Sequence, residues 1–302
     1  FGTDGSGVSR FDGIGWKTFR AGDGPASNYI SAIAKDARGA LWFGTESSGV
    51  TRYDSATWKT FTVADGLASN FITSIAVDAR GSVWFGTYGG GVSRYDGTSW
   101  KTFTASDGLA GNFILSAAPD GQGSVWFGTE GSGVSRFDGA SWKTYTNADG
   151  LTDDTVTAIA ADKQGAMWFG TNNSGASRFD GAFWTTYKSY TGLTSNYISS
   201  IVTDDDGAVW VGSQSAGVAK FDGVSWSKYY KKNGLVSDAI LSMTVDADGT
   251  LWFGTRNGVS RFGEPPMTVS DLRTSSIPVT FGIRSVYPNP FNPSTEIGRA
   301  HV

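Results

Sequence analysis

The chain has 302 residues, a formal net charge of -4, one His and no Cys. This mildly acidic composition has no basic block, which argues against nucleic acid as a partner, and no apolar run is long enough for a transmembrane helix. The absence of Cys excludes disulfides, thiolate catalysis and Cys-ligated metals. Its 42 Gly residues and 14% aromatic content favour short strands and tight turns.

A 42-residue repeat organises the sequence. The tripeptide Phe-Gly-Thr recurs along it, and Val211-Gly212-Ser213 replaces the tripeptide once. Neighbouring copies are separated by one constant step, which is typical of repeat architectures. The tripeptide begins at Phe1, Phe43, Phe85, Phe127, Phe169 and Phe253.

Each repeat contains four short β-prone runs, which lie at 71–78, 82–87, 91–96 and 100–104 in the type unit. Gly and Asp turns separate the runs, and this pattern predicts a four-stranded antiparallel meander. Three apolar residues in succession, Val83-Trp84-Phe85, indicate a strand covered on both faces. Stacked propeller blades supply that cover, so we expect an all-β propeller over residues 1–262.

The copies of each strand predict the number of blades. The second strand occurs seven times, whereas the first and fourth occur six times. We therefore expect seven blades, of which five are complete and two are incomplete, at 1–20 and 239–262. An incomplete terminal blade is expected to expose a strand edge.

The 12 Trp residues occupy two repeat positions, and we expect them to pack between blades. The first position, in the second strand, holds Trp42, Trp84, Trp126, Trp168, Trp210 and Trp252. The second position, at the start of the fourth strand, holds Trp16, Trp58, Trp100, Trp142, Trp184 and Trp226. A repeated Arg-aromatic-Asp triplet, as at Arg94-Tyr95-Asp96, places both charges on one face of a strand and predicts a structural ion pair.

The unit from Ile72 to Asp96 resembles the two-component regulator propeller repeat, and the resemblance covers residues 1–262. It implies a seven-bladed propeller. It also implies an extracytoplasmic role, either as the sensor half of a hybrid histidine kinase, where sugars are typical ligands, or as a free-standing secreted protein.

A change of composition follows Phe262. Residues 263–284, which begin with Gly263-Glu264-Pro265-Pro266, are expected to be a linker. Residues 285–295 resemble the start of the C-terminal sorting domain of type IX secretion substrates, which implies secretion or surface anchoring and the type IX machinery as a partner. Residues 297–302 resemble a translated sequencing adapter, so the chain is expected to be a fragment.

The sequence offers little catalytic chemistry. Its one His is His301, so residues 1–300 hold no Ser-His-Asp triad and no His-ligated metal. The propeller lyases that open cyclic antibiotics have similar repeats and rely on His. No carboxylate pair suited to glycoside hydrolysis is prominent. Asp204-Asp205-Asp206-Gly207 suggests a hairpin turn more strongly than a calcium loop. We expect no catalysis, no cofactor and no metal.

Positions that vary between repeats but stay polar are the candidates for ligand binding. The residue directly after Phe-Gly-Thr is expected on the same face as the crossover between blades. This set is Asp4, Glu46, Tyr88, Glu130, Asn172, Gln214 and Arg256. The crossover adds Asn28, Asn70, Asn112, Asp154, Asn196 and Asp238.

Three functions remain open at this stage. The first is an exported binding module for a glycan or protein ligand. The second is the ligand-sensing domain of a two-component system whose kinase lies on another chain. The third is an enzyme that acts on polysaccharide.

Overall fold

A computed structural model describes residues 1–262 and the backbone of Ser285–Tyr287. Apart from short 3-10 turns, the regular elements of these residues are antiparallel β-strands. They form six four-stranded sheets and one two-stranded hairpin. The prediction of an all-β propeller with four-stranded blades is confirmed, and we number the six four-stranded sheets as blades 1 to 6. A seventh blade stays a prediction.

The chain divides into two compact units, of which the first is Phe1–Tyr187. This unit holds a hairpin formed by β1 (Val8–Phe11) and β2 (Trp16–Phe19), followed by four blades. Blade 1 is β3 (Ile30–Lys35), β4 (Leu41–Thr45), β5 (Val50–Tyr53) and β6 (Trp58–Phe61); blade 2 is β7 (Ile72–Val77), β8 (Val83–Thr87), β9 (Val92–Tyr95) and β10 (Trp100–Phe103). Blade 3 is β11 (Ile114–Pro119), β12 (Val125–Thr129), β13 (Val134–Phe137) and β14 (Trp142–Tyr145); blade 4 is β15 (Val156–Ala161), β16 (Met167–Thr171), β17 (Ala176–Phe179) and β18 (Trp184–Tyr187).

The second unit begins at Lys188 and holds two blades. Blade 5 is β19 (Ile198–Thr203), β20 (Val209–Ser213), β21 (Val218–Phe221) and β22 (Trp226–Tyr229); blade 6 is β23 (Ile240–Val245), β24 (Leu251–Thr255), β25 (Gly258–Phe262) and β26 (Ser285–Tyr287). The helical elements of both units are 3-10 turns in the connections between blades, at Val63–Asp65, Ala105–Asp107, Asn147–Asp149, Ser189–Thr191 and Lys231–Asn233. Within the described part of the chain, no helix is long and apolar enough to cross a membrane.

The end of the chain departs from the sequence prediction. We expected blade 6 to stop at Phe262 with its outer edge exposed, but β26 pairs antiparallel with β25. The expectation was wrong because a strand edge pairs through backbone N–H and C=O groups, so its partner need not repeat the Trp-Lys-Thr-Phe sequence. The predicted linker at 263–284 and the tail after Tyr287, including 297–302, lie outside the described residues.

The core lies between blades within each unit. Trp84 of β8 is 1% exposed and stacks on Phe103 of its own blade, with ring centroids 5.7 Å apart. The same indole contacts Phe127 and Phe137 of blade 3, at 5.5 and 5.6 Å. The predicted role of the second-strand Trp residues in packing between blades is confirmed by these contacts, because one indole joins two sheets.

The Gly of Phe-Gly-Thr marks a close approach of two blades. A Cβ placed on Gly86 would lie 2.6 Å from Cγ2 of Ile114 in blade 3 and would also meet Oγ of Ser74. Gly44 has the same relation to Ile72, also at 2.6 Å. A side chain at this position would therefore push the next blade outward, and this explains why the repeat keeps glycine there.

Candidate functional site

The solvent-exposed face begins one residue after the second strand. All five residues of β8, Val83–Thr87, are buried, whereas Tyr88 is 42% exposed. Each copy of the repeat has an exposed residue at the same place. The residues that follow the strand are all exposed: Asp4, Glu46, Tyr88, Glu130, Asn172, Gln214 and Arg256.

Backbone hydrogen bonds fix these variable residues in place. The Tyr88 N–H donates to the Phe71 carbonyl at 3.0 Å, and the Glu130 N–H donates to the Phe113 carbonyl at 2.9 Å. The Gly91 N–H, at the end of the same turn as Tyr88, donates to the Asn112 carbonyl in the crossover to blade 3. The turn and the crossover therefore meet at one face, as the sequence predicted. The backbone is held by the scaffold while the side chain is open to solvent.

The crossover residues use their side chains differently. In each connection the Oδ1 atom accepts a hydrogen bond from a backbone N–H seven residues earlier, over 2.5–2.9 Å. The acceptors are Asn28, Asn70, Asn112, Asp154, Asn196 and Asp238. That oxygen shapes the connection, so these side chains have a structural role. Their predicted binding role stays a prediction.

Exposed aromatic side chains on this face were missed in the sequence. They directly follow the crossover Asn in four of the six connections, and an aromatic residue repeated in a polar segment was the signal that could have revealed them. They are Tyr29, Phe71, Phe113 and Tyr197, which are 50%, 37%, 46% and 45% exposed.

Tyr88 joins two of these aromatic residues into one cluster in the first unit. Its ring lies 5.3 Å from Phe71 and 4.9 Å from Phe113, and the contact with Phe113 is edge to face. The Glu130 carboxylate, as a hydrogen-bond acceptor and a nearby negative charge, raises the pKa of Tyr88. We call Phe71, Tyr88, Phe113 and Glu130 the aromatic cluster; it combines exposed ring surface with a carboxylate at its edge.

The repeated Arg and Asp residues serve the scaffold. Arg52 contacts Asp54 at 3.6 Å, as the triplet predicted, but it also contacts Asp36, in the hairpin between the first and second strands, at 3.7 Å. The ion pair with the Asp of this hairpin recurs in other blades, as Arg136–Asp120, Arg178–Asp162 and Lys220–Asp204. The triplet prediction was therefore incomplete, because spacing along one strand cannot reveal a partner on another element.

The triplet Asp instead closes the hairpin between the third and fourth strands. In Asp138 the Oδ1 atom accepts N–H bonds from Ser141 and Ala140, and these bonds lower its pKa to about 2. Asp222 has the same arrangement with Ser225 and Val224 and the same pKa of about 2. A carboxylate held in this way is a turn-forming group and is poorly suited to donate a proton in catalysis.

The Asp-rich segment at 204–207 is a hairpin turn. Asp204 accepts from the N–H groups of Asp206 and Ala208 through Oδ1, and from the indole N–H of Trp210 through Oδ2. Asp36, Asp78, Asp162 and Asp246 bind the indole of their own blades in the same way. The interpretation of this segment as a turn is confirmed. Within the described residues, no group of His, Cys, Asp or Glu side chains is arranged to hold a metal ion.

Comparisons with known families identify the repeat. The profile of the two component regulator propeller family matches six segments of 24 residues. They are residues 24–47, 66–89, 108–131, 150–173, 192–215 and 234–257. Each segment runs from the crossover through the second strand to the turn, so it includes one residue of each candidate set, and Asp4 lies outside the matched segments. No curated protein matches the chain.

Several solved structures have a similar fold. The extracellular domain of a putative hybrid two component system from B. thetaiotaomicron is 24% identical, with a TM-score of 0.69, and the match covers 78% of this chain and 32% of that one. PorZ, a surface component of the type IX secretion system of Porphyromonas gingivalis, is 19% identical, with a TM-score of 0.62 and coverages of 83% and 42%. This chain therefore spans well under half the length of these two proteins.

A shorter structure matches over most of its own length. Virginiamycin B lyase from Staphylococcus aureus is 16% identical, with a TM-score of 0.64, and the match covers 81% of this chain and 82% of that one. The solved variant of that enzyme, in which one His is replaced by Ala, is described as catalytically inactive. At these identities the three structures establish the propeller fold of this chain and not its activity.

Proposed function

Because the chain carries six two-component regulator propeller repeats, we propose that it is an exported, non-catalytic binding module that holds a glycan or protein ligand on its turn-and-crossover face. One observation carries the proposal. The repeat keeps a buried second strand and then presents a different, exposed side chain at an equivalent place in each copy. Such an array can be adapted to a ligand without disturbing the core.

The absence of catalysis is part of the proposal. The similar lyase is inactive when one His is replaced by Ala, whereas the single His of this chain, His301, lies outside the described residues. Turnover of a polysaccharide or a cyclic peptide by the purified protein would refute this part.

Export is also a proposal, and it rests on the fold relatives and on the tail. The relatives include the extracellular domain of a putative hybrid two component system and a surface component of the type IX system. Residues 285–295 resemble a type IX sorting signal. Cell fractionation of the source organism tests this part, and recovery of the protein from the cytoplasm would contradict it.

A sensor function is the second candidate, because the extracellular domain of a hybrid two component system is among the similar structures. In that case the same face would bind the signal, and a kinase partner would read it. Co-purification with a histidine kinase after cross-linking, and loss of that kinase's ligand response on deletion of this chain, would favour the sensor.

The binding proposal is tested on a glycan array and by pull-down from cell-surface extracts. We expect at least one ligand whose affinity falls about thirtyfold when Tyr88→Ala and Glu130→Ala are combined, because two contacts of about 1 kcal/mol each are lost. The matched control combines Ile14→Ala and Phe183→Ala. These side chains are 97% and 75% exposed, but they lie in the hairpins β1–β2 and β17–β18 and not on the turn-and-crossover face. Equal affinities for the two double variants would show that the face is wrong.

A further inference from the structure

The aromatic cluster of the first unit lies in a strongly acidic part of the exposed face. In Phe1–Tyr187, Arg20 is the one basic residue of the crossovers and of the turns between the second and third strands. Exposed carboxylates occupy the same positions repeatedly: Asp4, Glu46, Asp65, Asp107, Glu130 and Asp149. A ligand that docks on the cluster therefore meets ring faces and an excess of negative charge together.

The second unit shows that this charge is a property of one region and not of the repeat. Its equivalent positions carry Lys188, Lys231, Lys232 and Arg256, with Asp238 as the acidic residue. Arg256 stands where Asp4, Glu46 and Glu130 stand in the first unit, so the repeat accepts either sign at that position. Asp65, Asp107 and Asp149 also cap the 3-10 turns of their connections. The acidic excess of the first unit narrows the choice of ligand for that unit.

The cluster leaves ring surface unused. Phe71, Tyr88 and Phe113 remain 37%, 42% and 46% exposed although they contact each other. The Glu130 backbone N–H is bound to the Phe113 carbonyl at 2.9 Å, and its carboxylate is close enough to Tyr88 to raise the pKa of that phenol. Aromatic faces attract a guanidinium group through cation–π contact, and a carboxylate beside them adds a charge-assisted hydrogen bond. An anionic glycan would be repelled, and a neutral glycan would donate hydroxyl hydrogen bonds to the carboxylate but would bring no positive charge to balance the acidic excess.

We propose that Phe71, Tyr88, Phe113 and Glu130 form a docking site for a polypeptide segment that presents an arginine side chain. The guanidinium stacks on the exposed rings and donates to the Glu130 carboxylate. The surrounding carboxylates attract further basic residues of the segment. This inference rests on the proposed binding function and gives the ligand of the same face a chemical class.

The test is fluorescence anisotropy with a labelled Gly-Arg-Gly-Arg-Gly-Arg-Gly peptide and its citrulline counterpart, which keeps the shape of arginine but lacks the charge. We expect the arginine peptide to bind at low salt and the citrulline peptide to bind at least about fivefold more weakly. Tyr88→Ala is expected to weaken the arginine peptide about fivefold, because an exposed cation–π contact is lost.

A matched pair of charge variants separates the site from the general acidic field. Glu130→Gln is expected to weaken binding about threefold, as loss of an exposed ion pair does. Asp180→Asn removes one exposed charge in the hairpin between the third and fourth strands of blade 4, outside the turn-and-crossover face, and keeps the Oδ1 acceptor of that hairpin; it is expected to change the affinity by less than about 1.5-fold if the site is local. Equal effects of the two variants, equal binding of the two peptides, or no binding of the arginine peptide would each overturn the proposal. Unchanged thermal unfolding of each variant confirms that the fold is intact, as expected for exposed positions.

The same protein samples are titrated with cellohexaose, a neutral glycan, which distinguishes the two levels of inference. Binding of cellohexaose that depends on Tyr88, without binding of the arginine peptide, would overturn the arginine site and leave the binding module standing. If a ligand from the array binds the Tyr88 and Glu130 variants as tightly as the unchanged protein, both the arginine site and the proposed binding face would be refuted.

Discussion

The strand β8 and the turn that begins at Tyr88 are neighbours in sequence, yet they differ in burial. Val83–Thr87 is buried throughout, and Trp84 contacts rings of its own blade and of the next. Tyr88 is exposed and differs from its counterparts Glu46 and Glu130. The comparison teaches that recurrence in a repeat protein marks the scaffold, whereas the positions that stop recurring are the ones available to a ligand.

The largest effect is expected in the second strand. Trp126 is 3% exposed and packs on Tyr145 of its own blade and on Phe169 and Phe179 of blade 4. Trp126→Ala should lower the free energy of unfolding by roughly 3–5 kcal/mol, because a large buried side chain is lost. Chemical denaturation measures this change.

Trp252→Ala, in blade 6, is the comparison variant. Its side chain is 8% exposed and belongs to the last of the four-stranded sheets, so a smaller loss is expected than at Trp126. Equal losses at the two positions would contradict a nearest-neighbour account of stability in this repeat array.

An intermediate effect is expected where the second strand meets the next blade. Gly86→Ala places a Cβ 2.6 Å from Ile114 Cγ2, and the resulting strain should cost about 1–3 kcal/mol. Gly15→Ala is the control, because no atom lies within 4 Å of its added Cβ and its φ is not positive. If thermal denaturation gives the same Tm for both variants, the close approach of the blades is not a source of stability.

The smallest effect is expected in a hairpin turn. Ser55 has a φ of 77°, whereas its counterparts in the other repeats are Gly residues with φ near 100°. Ser55→Gly should relieve backbone strain in the folded state, but it should also raise the conformational entropy of the unfolded chain. We expect a net gain of about 0.5 kcal/mol in the free energy of unfolding. The reciprocal variant is Gly181→Ser, where an added Cβ meets no atom within 4 Å. It should lower the free energy of unfolding by a similar amount. A loss of stability in Ser55→Gly would show that the turn is not strained.

The blade architecture was predictable from the sequence because it depends on local, repeated signals. The 42-residue period, the turn residues and three consecutive apolar residues such as Val83-Trp84-Phe85 are sufficient to predict four strands covered on both faces. The place of Tyr88 and its counterparts at the start of an exposed turn was predictable for the same reason.

Contacts between elements were not predictable in this way. The indole N–H of Trp84 donates to Asp78, and Arg52 contacts Asp36, and in each pair the two residues belong to different elements that meet only after folding. The outer strand of blade 6 comes from Ser285–Tyr287, which does not repeat the Trp-Lys-Thr-Phe sequence of its counterparts. The hydrogen bonds of a β-ladder are made by backbone groups, so the partner strand need not repeat that sequence.

The 42-residue period is enough to define the repeat, its strands and the list of variable residues. Which exposed side chains meet depends on how neighbouring blades pack in the folded protein. This packing brings Tyr88 against Phe71 of its own blade and Phe113 of the next, residues 17 and 25 positions away in the chain, and it places Glu130 beside them. The physical reason is that each blade is folded locally, whereas its face is completed by the neighbouring blade.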